Sequence, residues 1–248
     1  MTNLARWGNP DLDWEYSNEL NVGVEGVFFG NRLSAEINYF HELRKNIIGV
    51  NNAKYAAVGG DFVPYENIGE VLNQGFDAYI NWNDKIGRDF TYNVGFNVTY
   101  TKNKLRKSSE FGDIEEYRKA IGRPTSTIFG WEAQGLFGKD VALEGHPKQI
   151  FGSYQVGDIA YADLNDDKMI DDNDKKSIGQ SFPTTTMGID VALNYKGIGL
   201  YVLGTATAGI TKMCTSSYYW NSGLNGYSVL AADRYHPANN PEGTQPRL

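Results

Sequence analysis

The stretch best equipped for chemistry is DLNDDKMIDDND, residues 163–174, in which six of the twelve residues are Asp. Oxygen ligands at alternate positions can curl around one hard cation. The register suits a Ca2+ loop, with Asp163, Asn165 and Asp167 at its first three ligand positions. The Met169 carbonyl, Asp171 and Asp174 then fall at the remaining three. Two departures stand out. Lys168 occupies the place usually held by Gly, where a left-handed backbone costs about 1–2 kcal/mol, and Asp174 is shorter than the usual Glu. The competing reading is a solvated Asx-rich turn whose side chains cap its own backbone. Dense carboxylates repel one another without a cation among them, so the expectation is one structural Ca2+, with no part in catalysis and no cofactor required.

Little else in the chain suggests catalysis. His41, His146 and His236 are far apart and show no zinc-ligand spacing. Cys214 lies in a Ser/Thr/Tyr stretch with no activating partner in view. No G-x-S-x-G, P-loop or G-x-G-x-x-G motif occurs. The expectation is a protein that is not an enzyme.

The elements that would position these residues are strands. Aromatic residues make up 13% of the 248 residues, with 16 Tyr, and there are 28 Gly, a composition that suits an all-β chain. Hydrophobic residues at 41% and charged residues at 21% exclude the signature of disorder. A net charge of -7 without a basic stripe argues against nucleic acid. No apolar run reaches the roughly 20 residues of a membrane helix, and MTNLARWGNP has no apolar core of the kind a signal peptide needs.

Period-two alternation dominates. In DFTYNVGFNVTYT, residues 89–101, Phe90, Tyr92, Val94, Phe96, Val98 and Tyr100 share one face, and Asn93 and Asn97 the other. The preceding segment places Leu72, Phe76, Ala78, Ile80 and Trp82 opposite Asn73, Asp77 and Asn81. Similar alternation runs through Tyr16–Phe28, Leu33–Tyr39, Met187–Tyr195 and Ile198–Val202, giving three hairpins with short turns. Strand regions are expected at about 15–50, 69–104 and 184–211, with a long connection at about 105–181. A short helix is conceivable at Glu115–Ile121.

Alternation alone does not say whether the apolar face meets a core or lipid; a soluble barrel or β-sandwich has the same period. Three features favour lipid. Asp89–Lys104 exceeds the ~9–11 residues of a tilted membrane strand. Phe28, Trp82, Phe90 and Tyr195 lie beside the short turns, where a membrane barrel carries an aromatic girdle. The opposite face is polar, as a wet or plugged lumen requires. The alternative is a soluble all-β carbohydrate-binding module with a structural calcium site.

Longer segments carry a family resemblance. NPDLDWEYSNELNVGVEGVFFGNRLSAEINYF resembles the NPDL-x-WE strand segment of the SusC/RagA family of TonB-dependent outer-membrane transporters. ENIGEVLNQGFDAYINWN is similar to its NVGE-x-x-N-x-G segment, and VGDIAYADLNDDKMIDDNDKKSIGQSFPTTTMGID to its DLN-x-DG-x-ID stretch. DRYHPANNPEGTQPRL resembles a loop before the last strands. The resemblance implies a partial antiparallel up-and-down transmembrane β-barrel of three hairpins with long extracellular loops. It corresponds to part of the C-terminal half of a barrel of about 22 strands. Alone, such a segment is expected neither to span a membrane stably nor to transport, because its two open edges leave backbone groups unpaired in lipid. For the parent, the resemblance implies a Gram-negative outer-membrane importer of oligosaccharides or oligopeptides. Its implied partners are a SusD-like surface lipoprotein, outer-membrane lipid and the TonB complex, reached through a plug. Asp77, Asn81, Asn93 and Asn97 would then line the lumen. Phe129 and Trp131, in GRPTSTIFGWEAQGLF, would contact the lipoprotein or the cargo.

Overall fold

The structure is a computed structural model that describes residues 8–55, 63–110, 112–219 and 227–247; most of the N-terminal decapeptide read above lies outside them. Strands dominate, in chain order β1 (Tyr16–Phe28), β2 (Leu33–Val50), β3 (Tyr65–Ile86) and β4 (Phe90–Lys107). Six short strands follow: β5 (Thr127–Gly130), β6 (Ala133–Leu136), β7 (Lys148–Gln149), β8 (Ile159–Tyr161), β9 (Met169–Ile170) and β10 (Lys176–Gln180). Two long ones close the series, β11 (Thr185–Tyr195) and β12 (Ile198–Ala208).

The chain divides into two compact units. The sheet unit comprises Met1–Ile114, Lys119–Thr127 and Gln180–Thr211; the loop unit comprises Glu115–Arg118, Ile128–Gly179 and Lys212–Leu248. In the sheet unit the six long strands pair antiparallel in the order β1-β2-β3-β4-β11-β12. β1 and β12 are its edges, so the barrel wall is open.

The register carries the alternation across all six strands. One row runs Val24–Ile37–Ala78–Val98–Met187–Ala206, and the next Gly26–Ala35–Ile80–Phe96–Ile189–Gly204. Because side chains alternate with a period of two, a single matched register puts every one of these on the same face. Tyr39, Phe76 and Tyr100 form an aromatic row at one margin, with the Phe76 and Tyr100 rings 5.8 Å apart. Phe28, Trp82, Tyr92, Phe90 and Tyr195 mark the other, where Trp82 Nε1 donates to Tyr92 Oη at 3.3 Å. From Phe90 to Tyr100, ~3.4 Å per residue and a tilt of ~40° give a height of roughly 26 Å, close to the ~25 Å apolar band of outer-membrane barrels.

This face has no core beneath it. Among the described residues the buried apolar side chains of the sheet unit are Val63 and Pro64; Leu136, Phe137, Ala160, Ala162, Ile170, Ala231 and Tyr235 all belong to the loop unit. On the apolar face Val24 is 74% exposed and Ile198 76%.

The turns follow from local chemistry. Lys196 and Gly197 both have positive φ (48° and 87°), the pair needed for a two-residue hairpin turn that matches strand twist. No helix forms at Glu115–Ile121, against the sequence expectation. The reason is competition for donors. The Glu110 carboxylate accepts the Ala120 and Ile121 N–H groups at 2.5 and 3.0 Å, and Gly122 N–H donates to Leu105 O at 2.7 Å. The one α-helix among the described residues is α1 (Asn52–Tyr55).

At Gly75 the sheet leaves no room for a side chain. A Cβ there would lie 2.0 Å from Tyr100 O and 3.0 Å from Thr101 Cα, both backbone, and 2.7 Å from the Phe40 ring. Gly75→Val is therefore expected to destabilise the wall by about 1–3 kcal/mol. The check is the temperature at which the full-length protein loses its folded, heat-modifiable electrophoretic mobility. An unchanged temperature would show that the strands do not pack this closely.

Candidate functional site

Two sets of residues could meet a ligand, one on the polar face of the sheet and one in the loop unit. On the polar face the register gathers the four residues expected to line a lumen. Asn38 Nδ2 donates to Asp77 Oδ1 at 3.0 Å, and Asn93 Nδ2 to Asn81 Oδ1 at 2.8 Å. Asn97 lies over Gly188, where an added Cβ would come within 3.0 Å of its Nδ2. Asp190 covers Gly95 in the same manner, with Oδ1 2.2 Å from the built Cβ position. The first two pairs thus cross-link neighbouring strands, and the last two side chains cover a glycine of the next strand. Near the short turns, Asn93 also lines a 580 Å³ hollow with Arg32, Asn83, Asp84 and Lys85, and Arg32 pairs with Asp84 at 3.3 Å.

At the opposite end of β2 and β3 the polar groups form a tight cluster. The Glu66 carboxylate receives Lys54 Nζ at 2.7 Å, Tyr55 Oη at 2.8 Å and Asn51 Nδ2 at 2.9 Å. These donors, the Lys54 ammonium foremost, hold its carboxyl down at about 2 from an ordinary 4.5. Glu66 lies well beyond Phe76, where the apolar face begins. A folded pKa below the unfolded one adds stability above the ordinary carboxyl range, lost as pH falls toward 2.

In the loop unit, Trp131 anchors the acidic turn. Its Nε1 donates to Asp171 O at 2.7 Å, Lys175 Nζ sits 4.3 Å above its ring, and Phe151 and Tyr161 pack at 4.6 and 5.9 Å. Phe129 is half-buried in β5 and touches no other aromatic ring among the described residues.

The acidic turn follows β8, passes through β9 and ends in a short 3-10 turn at Asp172–Asp174. Asp166 and Lys168 have positive φ (60° and 68°), so the residue at the usual Gly position adopts the left-handed backbone despite its side chain. Asp163 Oδ2 accepts Lys168 N–H at 2.8 Å, Asn165 Oδ1 accepts Asp167 N–H at 3.1 Å, and Asp167 Oδ1 accepts Met169 N–H at 2.8 Å. Asp171 caps a short 3-10 turn by accepting Asn173 N–H at 2.6 Å. Asp174 is fully buried, and its two oxygens accept Leu164 N–H at 2.7 Å and Asp171 N–H at 2.8 Å. Among the described residues no three His, Cys, Asp or Glu side chains already converge as a metal site. Asp163 Oδ1, however, is buried with no hydrogen-bond partner.

Sequence reasoning missed a second group in this unit. Gln149, Phe151, Tyr154, Asp158, Tyr161 and Arg247 line a cavity of 260 Å³. β7 and β8 carry Gln149 and Tyr161, and burial pushes the Tyr161 phenol above its ordinary range.

The comparisons fit this architecture. Residues 2–211 match the TonB dependent receptor-like, beta-barrel family. The chain belongs to that family. Among curated relatives, TonB-dependent receptor P3 of Formosa agariphila is 26% identical over 219 residues, covering 83% of this chain and 22% of that protein. TonB-dependent receptor SusC of Bacteroides thetaiotaomicron is 24% identical over 245 residues, 91% of this chain and 23% of that protein. In fold, the RagAB peptide importer in its open-open state superposes with a TM-score of 0.73 at 21% identity, covering 98% of this chain and 26% of that one. This receptor chain thus spans about a quarter of the length of the relatives it matches.

Two outcomes check this geometry. Asp174→Asn removes one of two carboxylate acceptors and sets an NH2 group against a backbone donor, at about 1–3 kcal/mol. Faster limited proteolysis within 163–175 is expected, and wild-type resistance would contradict the capping role. Hydrogen exchange at 51–55 and 63–67, corrected for intrinsic rates, should rise between pH 4.5 and 2. The Glu66→Gln variant should show little further change over that range, whereas equal pH dependence in both proteins would place the controlling group elsewhere.

Proposed function

We propose that this chain is part of the wall of an outer-membrane TonB-dependent transporter of the SusC/RagA type, and that its role is passage rather than catalysis. The observation that carries the reading is the uncovered apolar face. A water-facing sheet would forgo about 1.5–3 kcal/mol for each Val, Leu, Ile or Phe side chain, against a net stability of about 5–15 kcal/mol for a domain. A lipid-facing sheet loses nothing. A soluble carbohydrate-binding sandwich would need a second sheet over this face, and no described strand of the sheet unit supplies one. The polar face, with Asp77, Asn81, Asn93 and Asn97, then borders the lumen. By the convention of outer-membrane barrels, the short turns face the periplasm and the strand ends carrying long connections face outside.

In this reading the whole protein imports oligosaccharides or oligopeptides. It draws energy through TonB by way of a plug and works with a SusD-like surface lipoprotein. The relationship to SusC and the fold shared with a peptide importer support the reading. Paired substitutions on adjacent residues of β4 test it. Phe96→Arg puts a cation at mid-band, costing about 2–4 kcal/mol if that face meets lipid. Asn97→Arg should leave heat-modifiable folding intact. Equal effects, or the reverse order, would overturn the lipid assignment.

A separate proposal concerns residues 163–174: one Ca2+ stiffens this turn. Its support is the buried, unpartnered Asp163 Oδ1 at the first position of the oxygen-ligand spacing. The remaining ligands would be Asn165, Asp167, the Met169 carbonyl, Asp171 and Asp174. Asn165 and Asp167 would first have to release each other, since Asn165 Nδ2 now donates to Asp167 Oδ2 at 3.0 Å. Millimolar Ca2+ should raise the melting temperature of wild-type protein and not of Asp163→Ala. No response, or the same response in both, would remove the ion from the account.

A further inference from the structure

The 260 Å³ cavity of the loop unit has the marks of a built site. Gln149 is 4% exposed, yet it is only half satisfied. Its Oε1 accepts Tyr161 N–H at 2.9 Å, which fixes the amide, and its Nε2 has no acceptor among the described residues. The Nε2 atom itself reaches solvent, so the amide can donate to a ligand in the cavity. The Tyr154 and Tyr161 hydroxyls, on the same wall, also lack protein partners among the described residues.

The walls between these donors are aromatic and rigidly backed. Phe151 packs edge-on to Tyr161 at 5.6 Å, with Trp131 behind both rings. Tyr154 stacks at 5.3 Å on Phe137, which is fully buried. The site's only charges cancel: Asp158 Oδ1 meets Arg247 Nε at 2.6 Å, and Oδ2 meets Nη2 at 3.1 Å. A closed two-point ion pair leaves no free charge for an ionic ligand.

We propose that this cavity holds one neutral pyranose ring of an oligosaccharide. A pyranose offers an apolar C–H face to an aromatic ring and a rim of hydroxyls that accept from Gln149 Nε2 and exchange hydrogen bonds with the two phenols. The volume lies just below the ~300 Å³ floor for drug-sized ligands, so it takes one ring of a chain rather than the whole. A peptide would bring charged termini or a backbone seeking a strand edge, and the cavity offers neither a free charge nor a long edge. Trp131 acts here as a positioning residue: it holds Phe151 and Tyr161 and does not line the cavity. The inference deepens the importer reading, on which it rests for the origin of its ligand.

The test is calorimetric titration of the full-length protein in detergent with four neutral hexasaccharides, an α-glucan, a β-glucan, a mannan and a galactan, and with hexa-alanine. At least one hexasaccharide should bind. Gln149→Glu, which keeps the acceptor for Tyr161 N–H but replaces the donor, should weaken binding tenfold or more while the protein keeps its folded, heat-modifiable mobility, and Phe151→Ala should do the same. Failure of all four sugars, binding indifferent to both substitutions, or hexa-alanine binding that shares their sensitivity would each overturn the proposal. Uptake by cells carrying the protein separates the two readings. Sugar binding without protein-dependent uptake defeats the importer and leaves the cavity standing, whereas uptake without such binding defeats the cavity alone.

Discussion

The rest of the structure depends on the unbroken hydrogen-bonded register of six antiparallel strands. Pairing runs residue for residue from β1 to β12, with shifts confined to the ends of β2, β3 and β4 away from the short turns. Within the band from Tyr100 to Phe90 there is no shift at all. A slip by one residue would bring Asn97 and Asp190 onto the apolar face and Phe96 and Ile189 onto the polar one. Register is therefore held from both sides: by the solvent each face requires, and by cross-strand contacts such as Asn38–Asp77 and Asn81–Asn93.

That constraint also explains how the two units divide the labour. The sheet unit buries almost no apolar side chain, whereas the loop unit packs Phe137, Ile170, Ala160 and Leu136 into a small conventional core. The loop unit has little regular structure to satisfy its backbone. Carboxylates do that work instead, with Asp174 and Asp171 capping the turn and Asp140 Oδ2 accepting Leu136 N–H at 2.9 Å. A segment rich in Asp and Gly is thus as much a product of backbone satisfaction as of ligand binding.

The strands were legible because parity is a local property: six alternating apolar residues from Phe90 to Tyr100 define a face without any knowledge of the partner strand. All four aromatics expected beside the short turns, Phe28, Trp82, Phe90 and Tyr195, fall at that margin, with Phe90 paired to Tyr195. The Tyr39–Phe76–Tyr100 row is set by pairing across three strands, which the alternation of any one strand does not announce. The helix expected at Glu115–Ile121 fails because Glu110, which lies outside the segment, takes two of its amides. The cavity was illegible for a similar reason. Gln149 is placed by a two-residue parallel pairing with Ile170, and Arg247 reaches Asp158 from the far end of the chain. No periodicity announces such contacts. The 163–174 spacing marks an oxygen-rich turn, but spacing could not say which oxygens would serve backbone donors.

The most direct test of the central claim, that alternation along these strands separates lipid from water, is cysteine accessibility. Single cysteines would be placed at each position from Asn93 to Val98 of the full-length protein, in a Cys214→Ser background. Intact outer membranes would then be exposed to a charged, membrane-impermeant maleimide. The account predicts labelling at positions 93 and 97 and protection at 94, 96 and 98, position 95 being covered by Asp190. Uniform labelling, or labelling in the opposite phase, would contradict it.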